Sequence, residues 1–171
     1  MRAQTFRSLL AAALLLTLTA AGAQQGSSTF SVKLMTPETA LTAARAALDE
    51  CRRQGYQVAV AVVDRFGNPQ VLLRDRFAGA HTAGVATDKA WTAASFRMAT
   101  VDLGNETQAG KPMSALRAFP RVLAAGGGQF IESGGALLGG IGVSGAPGGD
   151  ADDTCAKAGV RAITDILELQ G

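Results

Sequence analysis

The chain has 171 residues, the length of one domain with its own core. Its 16 Lys and Arg barely exceed its 14 Asp and Glu, and Arg2 and Arg7 belong to a leader, which leaves 14 of each. That balance, with no Lys/Arg-rich run, argues against nucleic acid as a partner.

Residues 1–23 read as a secretory signal peptide. Arg2 and Arg7 form a basic start, Leu9 to Ala21 is an apolar run, and Ala21-Gly22-Ala23 offers a small-residue cleavage pattern. The run is short for a membrane span, which takes about 20 residues. Cleavage after Ala23 predicts a periplasmic or secreted protein, with no membrane span left in it. Residues 24–35 are mostly small and polar, a flexible arm before a domain over 36–171.

Thr36-Pro37-Glu38-Thr39 predicts a helix start, with Thr36 as N-cap and Pro37 at the first helical position. Ala40, Ala43, Ala44, Ala47, Leu48 and Cys51 follow at helical spacing, and Gly55 supplies the stop. Gln57 to Asp64 then reads as a strand apolar on both faces, hence a covered, central one. Asp64-Arg65-Phe66-Gly67-Asn68 is turn chemistry, and Pro69 to Arg74 is the return strand. A helix is expected over about 80–97. Its many small residues, among them Ala83, Gly84, Ala86, Ala90, Ala93 and Ala94, allow it to lie close to a neighbour. Val85, Lys89, Thr92 and Phe96 share one of its faces.

From Met98 to Leu123 the pattern weakens. Gly104-Asn105 and Gly110-Lys111-Pro112 are breakers, with a short helix expected over Met113 to Phe119. Gly126-Gly127-Gly128 opens a strand through Glu132, Ser133-Gly134-Gly135 reverses it, and Ala136 to Val143 runs back. After a glycine-rich loop, Asp150 is placed to cap the last helix. Two hairpins and packed helices predict an α+β fold on an antiparallel sheet.

The chain resembles the GlcG/HbpS family of haem-binding and haem-degrading-like proteins. The resemblance is carried by Val60-Ala61-Val62-Val63-Asp64, Gly67, Gly79-Ala80, Lys89-Ala90 and Thr92-Ala93, then by Gly127-Gly128, Ile141-Gly142-Val143-Ser144-Gly145, Asp152-Asp153, Cys155-Ala156 and Ala158-Gly159. It implies a profilin-like α+β fold, haem as ligand, and assembly into a homo-oligomer. Some members promote oxidative haem breakdown, so sequestration, sensing and degradation are all open. The alternative is a non-haem binding module or enzyme for a small organic acid or cofactor.

Several residues are candidates for the site. His81 is the only histidine, and neutral imidazole is the commonest metal-binding side chain. It is either an axial ligand for haem iron or a solvent-exposed residue at a helix start. Thr100, just past the helix, is the competing oxygen ligand. Lys89 and Thr92 from the helix, with Gly142 and Ser144 from the last strand, are expected to line a pocket between helix and sheet that receives a carboxylate or propionate. Lys89 is either that pocket's cation or a lysine whose stem covers the core. Arg97, like Arg74 and Arg76, is a candidate for the propionates.

Gly140-Ile141-Gly142-Val143-Ser144-Gly145 matches a dinucleotide fingerprint in letters only. Its strand belongs to a hairpin, and Pro147 interrupts before the helix. Cys51 and Cys155 fit no zinc ribbon and no haem-attachment motif. Two buried free thiols are slightly favoured over a disulfide, although antiparallel packing of the first and last helices would bring the two together.

Overall fold

The computed structural model describes residues 27–170. The expected leader and its cleavage point lie outside the described residues. The chain divides after Ser31, and the fold described here is that of the unit beginning at Val32.

Helix α1 spans Pro37–Arg53, β1 Ala59–Asp64, β2 Pro69–Arg74 and α2 Thr82–Phe96. They are followed by α3 (Thr100–Glu106), a 3-10 turn (Ser114–Ala118), β3 (Gly128–Ser133), β4 (Ala136–Ser144) and α4 (Gly149–Gln170). The four strands form one antiparallel sheet in the order β2-β1-β4-β3. The two expected hairpins are therefore present, joined along β1 and β4.

The two faces of the sheet are chemically different, and side-chain alternation sets the difference. Val58, Val60 and Val62 point to one face with Ile141 and Val143, and α1 and α4 cover them. Ala59, Ala61 and Val63 point to the other, beneath Ala86, Ala90 and Ala94 of α2. The β4 residues opposite them on that second face are Gly140, Gly142 and Ser144. A Cβ on Gly142 would lie 2.0 Å from the Ala86 carbonyl oxygen, and one on Gly140 would lie 2.4 Å from that of Ala90. Small residues thus let α2 rest directly on the strand. This is a helix–sheet–helix sandwich with one thick, valine-rich layer and one thin, alanine–glycine layer.

Helix α1 starts as its sequence dictates. Thr36 caps it by accepting from the Thr39 N–H at 3.3 Å, and Pro37 opens it. It packs antiparallel to α4, where Gly159 admits the Ala43 carbonyl. That packing brings Cys51 and Cys155 together, with Cα atoms 5.5 Å apart and a disulfide between the sulfurs. The reading of two free thiols is therefore corrected. Both cysteines are fully buried, so burial did not distinguish thiol from disulfide. The antiparallel helix packing supplies the geometry for the bond.

The segment after α2 holds more structure than its composition suggests. Gly104 and Asn105 lie inside α3 rather than breaking it. Gly104 faces the Ala124 carbonyl, 3.0 Å from where a Cβ would sit. The expected helix over 113–119 is a single 3-10 stretch. Its Arg117 donates to the carbonyls of Gly104 and Thr107, which α3 leaves unpaired at its end. Helix α4 begins at Gly149, which puts Asp150 in its first turn rather than at the cap.

Candidate functional site

The residues expected to form one pocket are divided by α2 among three environments. Lys89 is on the buried side. Only 3% of it is exposed, and its ammonium donates to Asp152 Oδ2 at 2.8 Å and to the Val143 carbonyl at 2.9 Å. Asp152 is equally buried, and its other oxygen accepts the Ala146 N–H at 3.0 Å. It also lies in the first turn of α4, where the helix dipole favours a negative charge. Burial pushes its carboxyl above the ordinary 3.8, against the opposing hydrogen bond and charge of Lys89 and the Ala146 N–H. Gly127 closes over the pair. A Cβ there would lie 2.6 Å from Asp152 Cβ and 2.9 Å from the Lys89 nitrogen. Lys89 thus ties α2, β4 and α4 together from the inside, and its cation is matched within the chain.

Thr92, also buried, is similarly committed. Its hydroxyl accepts the Leu123 N–H at 3.0 Å and donates to the Arg121 carbonyl at 3.2 Å, which fastens the segment after the 3-10 turn to α2. Arg121 takes a left-handed backbone (φ 71°), stacks 4.8 Å from the Trp91 ring and donates to Asp88. Gly142 and Ser144 lie in the buried strand beneath α2, and the space above Gly142 is filled by the α2 backbone rather than left as a pocket. Alanine in the helix and glycine in the strand produce contact, because nothing holds the two backbones apart.

Thr100 opens α3 and is fully buried. Its oxygen accepts the Gly128 N–H at 2.8 Å, anchoring β3. Arg97 closes α2 in a left-handed conformation and reaches Glu132 and the Gly135 carbonyl on the β3–β4 hairpin. It lies 16 residues beyond His81, about 24 Å along the helix at 1.5 Å per residue, too far for both to serve one haem.

His81 is the exception to this internal pairing. It is exposed at the start of α2, and its side chain caps nothing. The loop that carries it is held at both ends. The buried Asp75 accepts two bonds from Arg52, the Arg74 guanidinium donates to the Ala78 carbonyl, and Thr82 donates to the Gly79 carbonyl at 2.7 Å. The imidazole lies over Gly79, where an added Cβ would come within 2.8 Å of Cε1 and 3.0 Å of Nδ1. One turn further, Gly84 has no atom within 4 Å of its Cβ position, which leaves open space at that point of the same helix. Phe77, 79% exposed, precedes the helix with Arg76 stacked 6.0 Å from its ring.

This set fits haem by its chemistry. A neutral imidazole nitrogen suits the iron, exposed aromatic and open glycine surface suit the macrocycle, and a guanidinium suits the propionates. Thr100 offers no comparable position, because its hydroxyl is sealed within the fold. Among the described residues, no cluster of three or more His, Cys, Asp or Glu could hold a bare metal ion. None of the helices described is long and apolar enough to cross a membrane. Sequence reasoning named neither Gly79 nor Phe77 among its candidates, although both closely precede His81 in the chain. The signal available was a glycine two residues before the only histidine.

Comparison with known proteins agrees with the fold. A family profile described as "Haem degrading protein HbpS-like" matches residues 35–161. The crystal structure of a double mutant of Streptomyces reticuli HbpS is 38% identical with a TM-score of 0.76, covering 82% of this chain and 94% of that one. A structure of PduOC in complex with heme is 28% identical with a TM-score of 0.72, covering 77% and 96%. The corrinoid adenosyltransferase PduO of Salmonella typhimurium is 33% identical over 103 residues, 59% of this chain. The chain spans about a third of the length of the curated relatives it matches (31%). With the profile covering most of its length, the chain belongs to the HbpS-like family of haem-degrading proteins.

Proposed function

We propose that this is an exported haem-binding protein that takes haem at the His81 end of α2. Family membership and the likeness to a haem complex of PduOC support haem as the ligand. The observation that carries the site is the exposed, uncommitted imidazole of His81 standing over Gly79, while Lys89, Thr92 and Thr100 are all paired inside the fold. Bound haem supplies the redox chemistry of its iron. The chain's part is to present one nitrogen, offer apolar surface at Phe77 and Gly84, and pair a propionate with Arg76. This arrangement serves sequestration or sensing, and it equally permits oxidative degradation of the ligand. The adenosyl transfer named for PduO is not carried over, since only part of that protein is matched.

The alternative of a small organic acid held between α2 and the sheet loses its cation to Asp152. Haem titration followed at the Soret band tests the proposal. Wild type should saturate at one site, and His81→Ala should weaken binding and shift the band. A wild-type protein that leaves the haem spectrum unchanged refutes it. Export follows from the leader, and mass spectrometry of the secreted fraction should find a chain starting near Gln24. Assembly into a homo-oligomer is part of the same reading, and light scattering at micromolar concentration tests it. A monomer mass would count against it.

A further inference from the structure

The valine-rich side of the sheet carries a second candidate site, away from α2. A cleft of about 280 Å³ opens there between the strap before α1, the β3–β4 hairpin and the end of α4. Met35, Leu138, Ile166 and Leu167 form its apolar walls. Its polar side chains are few: Lys33, Thr36 and Thr39 on the α1 side, and on the hairpin side Ser133, whose hydroxyl is taken by the Leu167 carbonyl. No carboxylate lines it, and among the described residues Lys33 makes no ion pair.

The walls are held open by the fold itself. Gln70 donates from Nε2 to the Met35 carbonyl at 3.1 Å and so ties the strap to β2. Ser133 donates to the Leu167 carbonyl at 3.1 Å, which pairs an acceptor left free at the end of α4. Thr36 caps α1, and its hydroxyl lies 3.1 Å from that of Thr39. Three elements are thus fixed around the space independently of any occupant. Water filling it would meet mainly aliphatic surface, and an apolar ligand displaces such water favourably.

The geometry points to a binding site for a short aliphatic carboxylic acid. Its chain would lie on Leu138, Ile166 and Leu167, and its carboxylate would meet Lys33 beside the positive end of α1. The volume is at the lower edge of the range for small-molecule sites, about 300–1,000 Å³, which sets the ligand as short. The single-signed rim selects an acid over an amine.

Titration of the purified protein with octanoate, followed by methyl NMR, tests this. Saturable shifts are expected at Leu138, Ile166 and Leu167, with a submillimolar Kd. Lys33→Glu, a surface change that leaves the core intact, should raise that Kd at least tenfold. Octanol should bind at least tenfold more weakly than octanoate. Leu138→Trp should fill the cleft and abolish the shifts. Absence of saturation, shifts confined to another region, or equal affinity of wild type and Lys33→Glu would each overturn the assignment. Haem binding of Lys33→Glu should equal that of wild type, because His81 lies on the helix that covers the other face of the sheet.

Discussion

Replacing Lys89 by Met keeps an unbranched side chain one atom shorter and removes its charge. Asp152 then remains buried with one hydrogen bond, from Ala146, and without a counter-ion. Breaking a buried pair from one side costs about 3–5 kcal/mol, because the remaining charge has lost its compensation. At about 2–4 °C per kcal/mol for a chain of this size, the melting temperature should fall by about 6–20 °C. The loss should depend on pH. The Asp152 pKa in the folded protein already lies above 3.8, so the folded state holds that proton more tightly than the unfolded chain. Its contribution to stability is then largest below 3.8 and declines as pH rises through the raised value. Without Lys89, which lowers it, the folded pKa rises further. The decline then extends upward, and Lys89→Met should be more damaging at pH 8 than at pH 5. Adding Asp152→Asn removes the charge and keeps an oxygen for the Ala146 N–H, so the double variant should recover most of the loss. Differential scanning calorimetry of wild type, Lys89→Met, Asp152→Asn and the double variant at both pH values is the assay. A Lys89→Met loss below about 1 kcal/mol, or a double variant no better than the single one, would refute the claim that this lysine is an internal tie.

Other outcomes follow from single contacts. Gly79→Ala should leave stability within about 1 kcal/mol, since an exposed ring can move aside. It should nonetheless alter the haem spectrum by displacing His81, and an unchanged Soret band would show that the ring is not oriented by Gly79. Gly142→Ala should be strongly destabilising in urea melts, because its Cβ would meet the Ala86 carbonyl at 2.0 Å. By contrast, Gly84→Ala, in open space within α2, should stabilise by about 0.5–1 kcal/mol, and equal effects of the two would contradict the described packing. Reduction of the Cys51–Cys155 bond, which spans 104 residues, should cost about 2–5 kcal/mol, read as a shift in denaturation midpoint between oxidised and reduced protein.

Much of the fold was legible because β1 and β2 alternate or run apolar and are bounded by turn residues. Thr36-Pro37 likewise writes a helix start directly into the sequence. Helix α3 was not legible. Its cap, Ala99, makes no side-chain bond, and its Gly104 is required by a carbonyl 20 residues later in the chain. The disulfide depended on how α1 and α4 pack, which local pattern does not state. The site divided in the same way. His81 stood out by type alone. The environment of Lys89 was set by Asp152, 63 residues away, and no periodicity within α2 reveals a partner on another helix.

The central claim is that haem is held by His81. The most direct measurement is a haem titration of wild type and His81→Ala, each confirmed folded by its melting curve, with Lys89→Met as a control on the buried pair. The account predicts a saturating Soret shift for wild type, at least tenfold weaker binding with an altered band for His81→Ala, and wild-type affinity for folded Lys89→Met. Identical spectra and affinities for wild type and His81→Ala would contradict it.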